Sequence, residues 1–131
     1  MTPSLQRILF VEDDLDIQAV ARLALEAVGG FTVAVCDSGH DAVEAAPTFQ
    51  PDLILLDVMM PGMDGPTTFS ALRAIPQTTQ TPVIFMTAKI QSHEVERYKT
   101  LGAAGVIAKP FDPMQLSAQI TTIWTSCHAI S

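Results

Sequence analysis

Unbroken apolar runs alternate along this chain with segments where apolar residues return every three or four positions. The run "RILFVED", starting at Arg7, predicts a strand over 7–12 that is buried on both faces, because its apolar letters are continuous rather than alternating. Behind it, Ile17, Val20, Ala21, Ala24 and Val28 recur at helical spacing until Gly29-Gly30 stops the helix. "FTVAVCD" (31–37) predicts a second strand. Ser38 with Asp41 three residues on predicts a capped second helix ending near Pro47. "DLILLD" (52–57) is the third strand, and Pro66 stands in the first turn of a helix carrying Phe69 and Leu72 and closed by Pro76. "PVIFMTA" (82–88) is the fourth strand, and the helix after it runs from Ser92 to Leu101 with Gly102 as its stop. "GVIAKP" (105–110) is the fifth strand. Asp112-Pro113 then opens a last helix whose apolar stripe is Leu116, Ile120, Ile123 and Trp124.

Five strands alternating with five helices predict a parallel sheet with helices on both faces. No linker, low-complexity tract or second hydrophobic unit interrupts the pattern, so residues 1–131 read as one domain with its core over about 5–126.

Sheets of this kind bind ligands beyond the carboxyl ends of their strands. Polar residues gather at that edge: Glu12, Asp13 and Asp14 after the first strand, Asp57 at the end of the third, Thr87 of the fourth and Lys109 of the fifth. One acid at one strand end is an ordinary turn residue; polar residues at four strand ends, in strands otherwise apolar, point to a shared site. Two carboxylates brought to ~5 Å repel by roughly 3 kcal/mol at an effective dielectric of ~20. Such a cluster calls for a cation, and Mg²⁺ is the hard ion usually held by one or two carboxylates, waters and a phosphate. With Lys109 as a fixed positive charge and Thr87 as a hydroxyl donor, the set reads as a Mg²⁺-assisted phosphoryl acceptor with Asp57 as nucleophile.

Composition narrows the field. Hydrophobic residues make up 48% of the 131, which argues against a disordered chain. A formal net charge of −7 with seven Lys and Arg would repel a polyanion, so no nucleic acid is expected to bind this domain alone. No apolar run has the length of a membrane span, and "MTPSLQRILF" lacks the features of a signal peptide. Cys36 and Cys127 show no metal-like spacing, which fits a reducing cytoplasm. His40, His93 and His128 are scattered, and Met59, Met60 and Met63 read as packing in the loop after Asp57.

The motifs "VEDD", "PDLILLDVMMPGMDG", "PVIFMTA" and "AKPF", in this order, resemble the response-regulator receiver domain of two-component signalling, from about Leu5 to Trp124. The resemblance implies a flavodoxin-like (βα)5 three-layer sandwich with strand order 2-1-3-4-5. It makes Asp57 the phosphorylated residue, Asp13 a direct Mg²⁺ ligand and Glu12 one acting through water. Met59 would offer its backbone carbonyl to the metal, Thr87 would be the switch hydroxyl, Lys109 would pair with the phosphate, and the Lys109–Pro110 bond would be cis. Ala88 is small as the family prefers, and Lys89 and Met59 flank the phosphoryl position. One departure stands out: Val106 occupies the place where the family commonly carries a Tyr or Phe that rotates with the switch Thr.

The implied partners are a histidine kinase or phosphotransfer protein and a downstream target or an output domain outside this sequence. A homodimer could form through the fourth helix, fifth strand and fifth helix, near Lys89, Arg97 and Lys99. Two other classes share parts of this chemistry. A dehalogenase-type phosphatase also uses an Asp nucleophile and Mg²⁺, but wants a second acid where Met59 stands. A flavin carrier on the same fold needs a hydroxyl-rich phosphate loop where this chain has "VEDDLD". Both stay as alternatives that these residues disfavour, and the domain is expected to switch rather than to turn over foreign substrates.

Overall fold

The computed structural model describes residues 4–88 and 91–128. Its five strands, β1 (Arg7–Val11), β2 (Thr32–Cys36), β3 (Leu53–Asp57), β4 (Val83–Thr87) and β5 (Gly105–Ala108), form one sheet in the order β2-β1-β3-β4-β5, all pairs parallel. Five helices connect and cover them: α1 (Leu15–Leu23), α2 (Gly39–Phe49), α3 (Gly65–Arg73), α4 (Ser92–Leu101) and α5 (Leu116–Cys127). The expected doubly covered sheet and its strand order are therefore present.

Strand parity divides the core in two. Ile8, Phe10, Leu53, Leu55, Ile84, Met86 and Ile107 pack on one face against Ala21, Leu25, Leu116, Ile120 and Trp124 of the α1 and α5 side. Leu9, Val11, Ile54, Leu56, Val83 and Phe85 pack on the other against Ala42, Ala46, Phe69, Leu72 and Tyr98 of α2, α3 and α4. Side chains alternate across a strand with period two, so a strand covered on both faces must be apolar throughout. Each fully buried large side chain contributes about 1.5–3 kcal/mol relative to exposure, which makes β3 and β4, buried along their whole length, the most rigid mounts in the molecule.

Several expected boundaries shift. Strand β1 ends at Val11, leaving Glu12 beyond the ladder, and the other strands are likewise trimmed to their paired residues. The first helix does not keep one helical period: after Leu23 the chain makes a π-helical turn over Ala24–Val28. Within that wider turn Val28, expected in the stripe, is 49% exposed while Leu25 is buried; Val20, in the regular helix before it, is 45% exposed beside the buried Ala21. Helix α2 runs through Pro47 to Phe49, because a proline in the last turn removes one hydrogen bond without forcing the helix to stop. Helix α3 ends at Arg73, before Pro76, which opens a short 3-10 turn over Pro76–Thr78. Helix α5 begins at Leu116 rather than at Asp112-Pro113. Asp112 still prepares it by accepting from the Met114 N–H through its side chain and from the N–H groups of Gln115 and Leu116 through its carbonyl. Helix α4 starts and stops as expected, with Gly102 in the left-handed region at φ 114°. Among the described residues no helix is long and apolar enough to cross a membrane.

Candidate functional site

Parallel pairing brings the carboxyl ends of four strands into one row. Asp57 closes β3 beside Met86, and the Val58 N–H donates to the Met86 carbonyl at 3.0 Å. Thr87 closes β4 beside Ala108, and its carbonyl accepts from the Lys109 N–H at 2.9 Å. The Glu12 N–H reaches the Cys36 carbonyl at 3.0 Å, so Glu12 is fixed just past β1 and β2. Beyond it Asp14 caps α1, accepting from the N–H groups of Asp16 at 2.9 Å and Ile17 at 3.1 Å. Residues 97 and 52 positions apart in sequence now meet: Lys109 Nζ lies 2.8 Å from Glu12 Oε1 and 3.0 Å from Asp57 Oδ1. The Lys109–Pro110 bond is cis, as the resemblance implied.

Glu12 and Asp57 are almost wholly buried, at 1% and 2% exposure. Buried carboxylates require partners, and Lys109 supplies one charge to both. Burial nevertheless pushes the Glu12 carboxyl up to about 7, against the pull of the Lys109 hydrogen bond and with added repulsion from Asp57. For Lys109 the balance falls the other way: burial alone would depress its pKa, but the hydrogen bonds to Glu12 and Asp57 and their charges raise it. The ammonium is therefore fixed in its charged form.

Asp13 completes the cluster. One oxygen each from Glu12, Asp13 and Asp57 lies within 4.8 Å of the others, with Asp13 exposed and the other two buried. Three carboxylates face one ammonium. The donors are all hard oxygens, close enough to share an ion, and the exposed Asp13 side leaves room for water, which is the donor chemistry a small divalent cation prefers. The residues fit the Mg²⁺ that the sequence pattern suggested.

On the α4 side, Thr87 continues the row of β4 positions begun by Val83 and Phe85. With Val58, Met59, Asp64, Glu94, Arg97 and Tyr98 it lines a cleft of about 610 Å³. Met59 is 71% exposed beside it, whereas Met60 is buried, so the packing expected of the loop methionines holds for Met60 and fails for Met59. Asp64 caps α3 by accepting from the Thr67 N–H at 2.9 Å, which also holds its carboxyl below the usual carboxylate range. Val106 lies beside Phe85 and is half-buried against the core of that face. Lys89 lies outside the described residues.

Gly65 lets the β3–α3 turn close. Its N–H donates to the Val58 carbonyl at 2.9 Å, and a Cβ there would sit 2.7 Å from the Asp57 carbonyl oxygen and 2.8 Å from the Val58 Cα. Backbone cannot retreat as a flexible side chain can. Gly65→Ala is therefore expected to destabilise the domain by about 1–3 kcal/mol in urea melts; an unchanged midpoint would show that the turn has slack.

The model of the response regulator receiver domain matches residues 8–121. This chain belongs to that family. The receiver is 40% identical over 116 residues to the transcriptional regulatory protein CseB of Streptomyces avermitilis, covering 88% of this chain and 48% of that protein. It is 37% identical over 115 residues to the DNA-binding response regulator MtrA of Mycobacterium tuberculosis, covering 88% and 49%. The receiver thus spans about half the length of these curated relatives. Among solved structures, the chemotaxis protein CheY4 of Vibrio cholerae superposes with a TM-score of 0.84 at 28% identity, covering 92% of this chain and 99% of that one. A response regulator from Desulfuromonas acetoxidans gives 0.81 at 30% identity. The receiver is a signalling domain of the two-component kind, and neither the phosphatase nor the flavin-carrier reading is favoured.

The sequence pattern brought Glu12, Asp13, Asp57, Thr87 and Lys109 to one edge, and they stand there. It missed the cleft between the β3–α3 turn and α4, and with it Tyr98. The available signal was a lone tyrosine among charged residues in "SHEVERYKTL".

Proposed function

We propose that this receiver accepts a phosphoryl group on Asp57 from a histidine kinase or phosphotransfer protein and thereby switches the surface around α4, β5 and α5. The observation that carries the proposal is Lys109 bonded to both Glu12 and Asp57 at the mouth of the acidic cluster. An Asp57 carboxylate oxygen attacks phosphorus, the P–N bond of a phosphohistidine breaks, and the imidazole nitrogen leaves with the electron pair and takes up a proton. Glu12, Asp13, Asp57 and the Met59 carbonyl would hold Mg²⁺, which neutralises charge on the phosphoryl oxygens when bound. Lys109 holds one Asp57 oxygen at 3.0 Å and then pairs with the transferred group. Thr87 offers its hydroxyl to a phosphoryl oxygen from the α4 side. The domain's own chemistry ends there: it gains and loses its own phosphoryl group and has no foreign substrate.

The relatives support a reading of the output. CseB is named a transcriptional regulatory protein and MtrA a DNA-binding response regulator, and this receiver matches about half of each. An output domain beyond this sequence, or a separate protein target, would read the switched surface, through a homodimer of the α4–β5–α5 face where the regulator works in pairs. The setting is the cytoplasm, where kinase and donor are found.

Metal removal tests the reading. Phosphoramidate, a simple donor with a P–N bond, is expected to add one phosphoryl group to the intact mass in Mg²⁺ and none in EDTA. A wild-type chain that stays unlabelled in Mg²⁺ would overturn it.

A further inference from the structure

Helix α4 buries one ring against the sheet. Of its ten residues Tyr98 is the buried one among those described, while Leu101 at its end is 46% exposed. The ring packs on Phe85 of β4 with centroids 5.0 Å apart and planes tilted by 50°, and Phe85 meets Phe69 of α3 at 5.7 Å. Val106, beside Phe85 on β5, joins the same cluster with a short branched side chain. Its stiffness leaves it few alternative states. Tyr98 is the large side chain that α4 adds to this cluster.

The far end of that ring is polar. Its hydroxyl donates to Glu94 Oε2 at 3.3 Å, one turn earlier in α4. Burial, with Glu94 beside it, raises the phenol above its usual pKa, so it remains a neutral donor. Tyr98, Glu94 and Arg97 wall the cleft that Thr87 and Met59 line from the other side. The residue that docks α4 therefore also borders the reaction site.

Charge arriving there acts on this arrangement in one sense. A phosphoryl group brings up to about two negative charges. It repels Glu94, which accepts from the Tyr98 hydroxyl, and attracts Arg97, which neighbours Tyr98 in the helix. A part-buried hydroxyl deprived of its acceptor is less favourable where it sits, which favours re-seating the ring or finding another partner. We infer that Tyr98 is the positioning residue through which phosphorylation beside Thr87 loosens α4 from the sheet. The inference rests on the proposed acceptor role of Asp57 and names the element that carries its signal. It makes the readout a helix-borne ring rather than a residue of β5.

Tyr98 is the chain's single tyrosine, so 3-fluorotyrosine gives one fluorine resonance. In acetyl phosphate and Mg²⁺, intact mass reports the phosphoryl group while the same sample reports the ring. We expect the label to form, the resonance to move by more than its linewidth, and amides 92–101 to lose hydrogen-exchange protection. Tyr98→Phe keeps the ring and should take the label at the wild-type rate, yet lose the α4 exchange response. Glu94→Gln, which retains an acceptor without the charge, should shrink it. A labelled protein with an unmoved resonance, or a Tyr98→Phe whose α4 responds as wild type, would overturn the inference. A wild type that takes no label defeats the reading of Asp57 instead, and the mass measurement separates the two failures.

Discussion

Acetyl phosphate with Mg²⁺ is expected to label the wild-type receiver once and Asp57→Asn not at all. The effect is all-or-none because the two aspartates differ in setting. Asp57 ends a strand buried along its whole length, and Lys109 holds one of its oxygens at 3.0 Å. Asp13 follows β1 outside the ladder and is exposed. A nucleophile must keep one orientation while a donor approaches, and only Asp57 is held rigidly enough to supply that preorganisation. Asn at this position preserves shape and hydrogen bonding but lacks the attacking anion. The label should survive acid and be lost in base, as an acyl phosphate is. Intact-mass analysis of both proteins decides: equal labelling would place the acceptor elsewhere.

Lys109→Ala should produce the largest loss of stability at the site, about 3 kcal/mol in metal-free buffer. Removing one partner of a buried ion pair typically costs that much because the other charge is left behind. Here two carboxylates are left, Glu12 and Asp57. Glu12 can relieve part of the strain by taking a proton, since burial has already pushed its carboxyl up to about 7. This puts the expected value at the low end of the usual range.

Asp13→Asn should act in the opposite sense by removing one like charge. Relief of like-charge repulsion in such a cluster amounts to about 1–3 kcal/mol. The exposure of Asp13 brings that down to about 1 kcal/mol, because water screens an open carboxylate. Saturating Mg²⁺ should then reverse the ranking: at a hundred times Kd it would stabilise the wild type by about 2.7 kcal/mol and Asp13→Asn far less. Urea melts of the three proteins with and without Mg²⁺ measure all of this, given equal m-values. A Lys109→Ala protein as stable as wild type would mean that the two buried acids are not held by this lysine. A fall in metal-free stability for Asp13→Asn would make Asp13 a structural residue.

Much of this receiver was written in its sequence by itself. A strand buried on both faces must be an unbroken apolar run, and a covering helix must return an apolar residue every three or four positions, so "DLILLD" and "PVIFMTA" identify themselves without neighbours. Once five such runs alternate with helices, parallel pairing sends every strand's carboxyl end to the same edge. The polar residues at those ends were therefore legible as one site. Tertiary structure decided what depends on distance between remote residues. That Lys109 bonds Glu12 and Asp57 together, across 97 and 52 positions, is a matter of register between β1, β3 and β5, which no local pattern encodes. That Glu12 is buried and Asp13 exposed follows from where β1 stops pairing, and it sets which acid is costly and which is screened. The π-helical turn after Leu23 likewise left Val28 exposed and Leu25 in the core, because packing and not period chose the buried face. Tyr98 looked like one apolar letter in a charged helix; only the approach of α4 to Phe85 and to the cleft beside Thr87 made it the ring that packs that helix on the sheet.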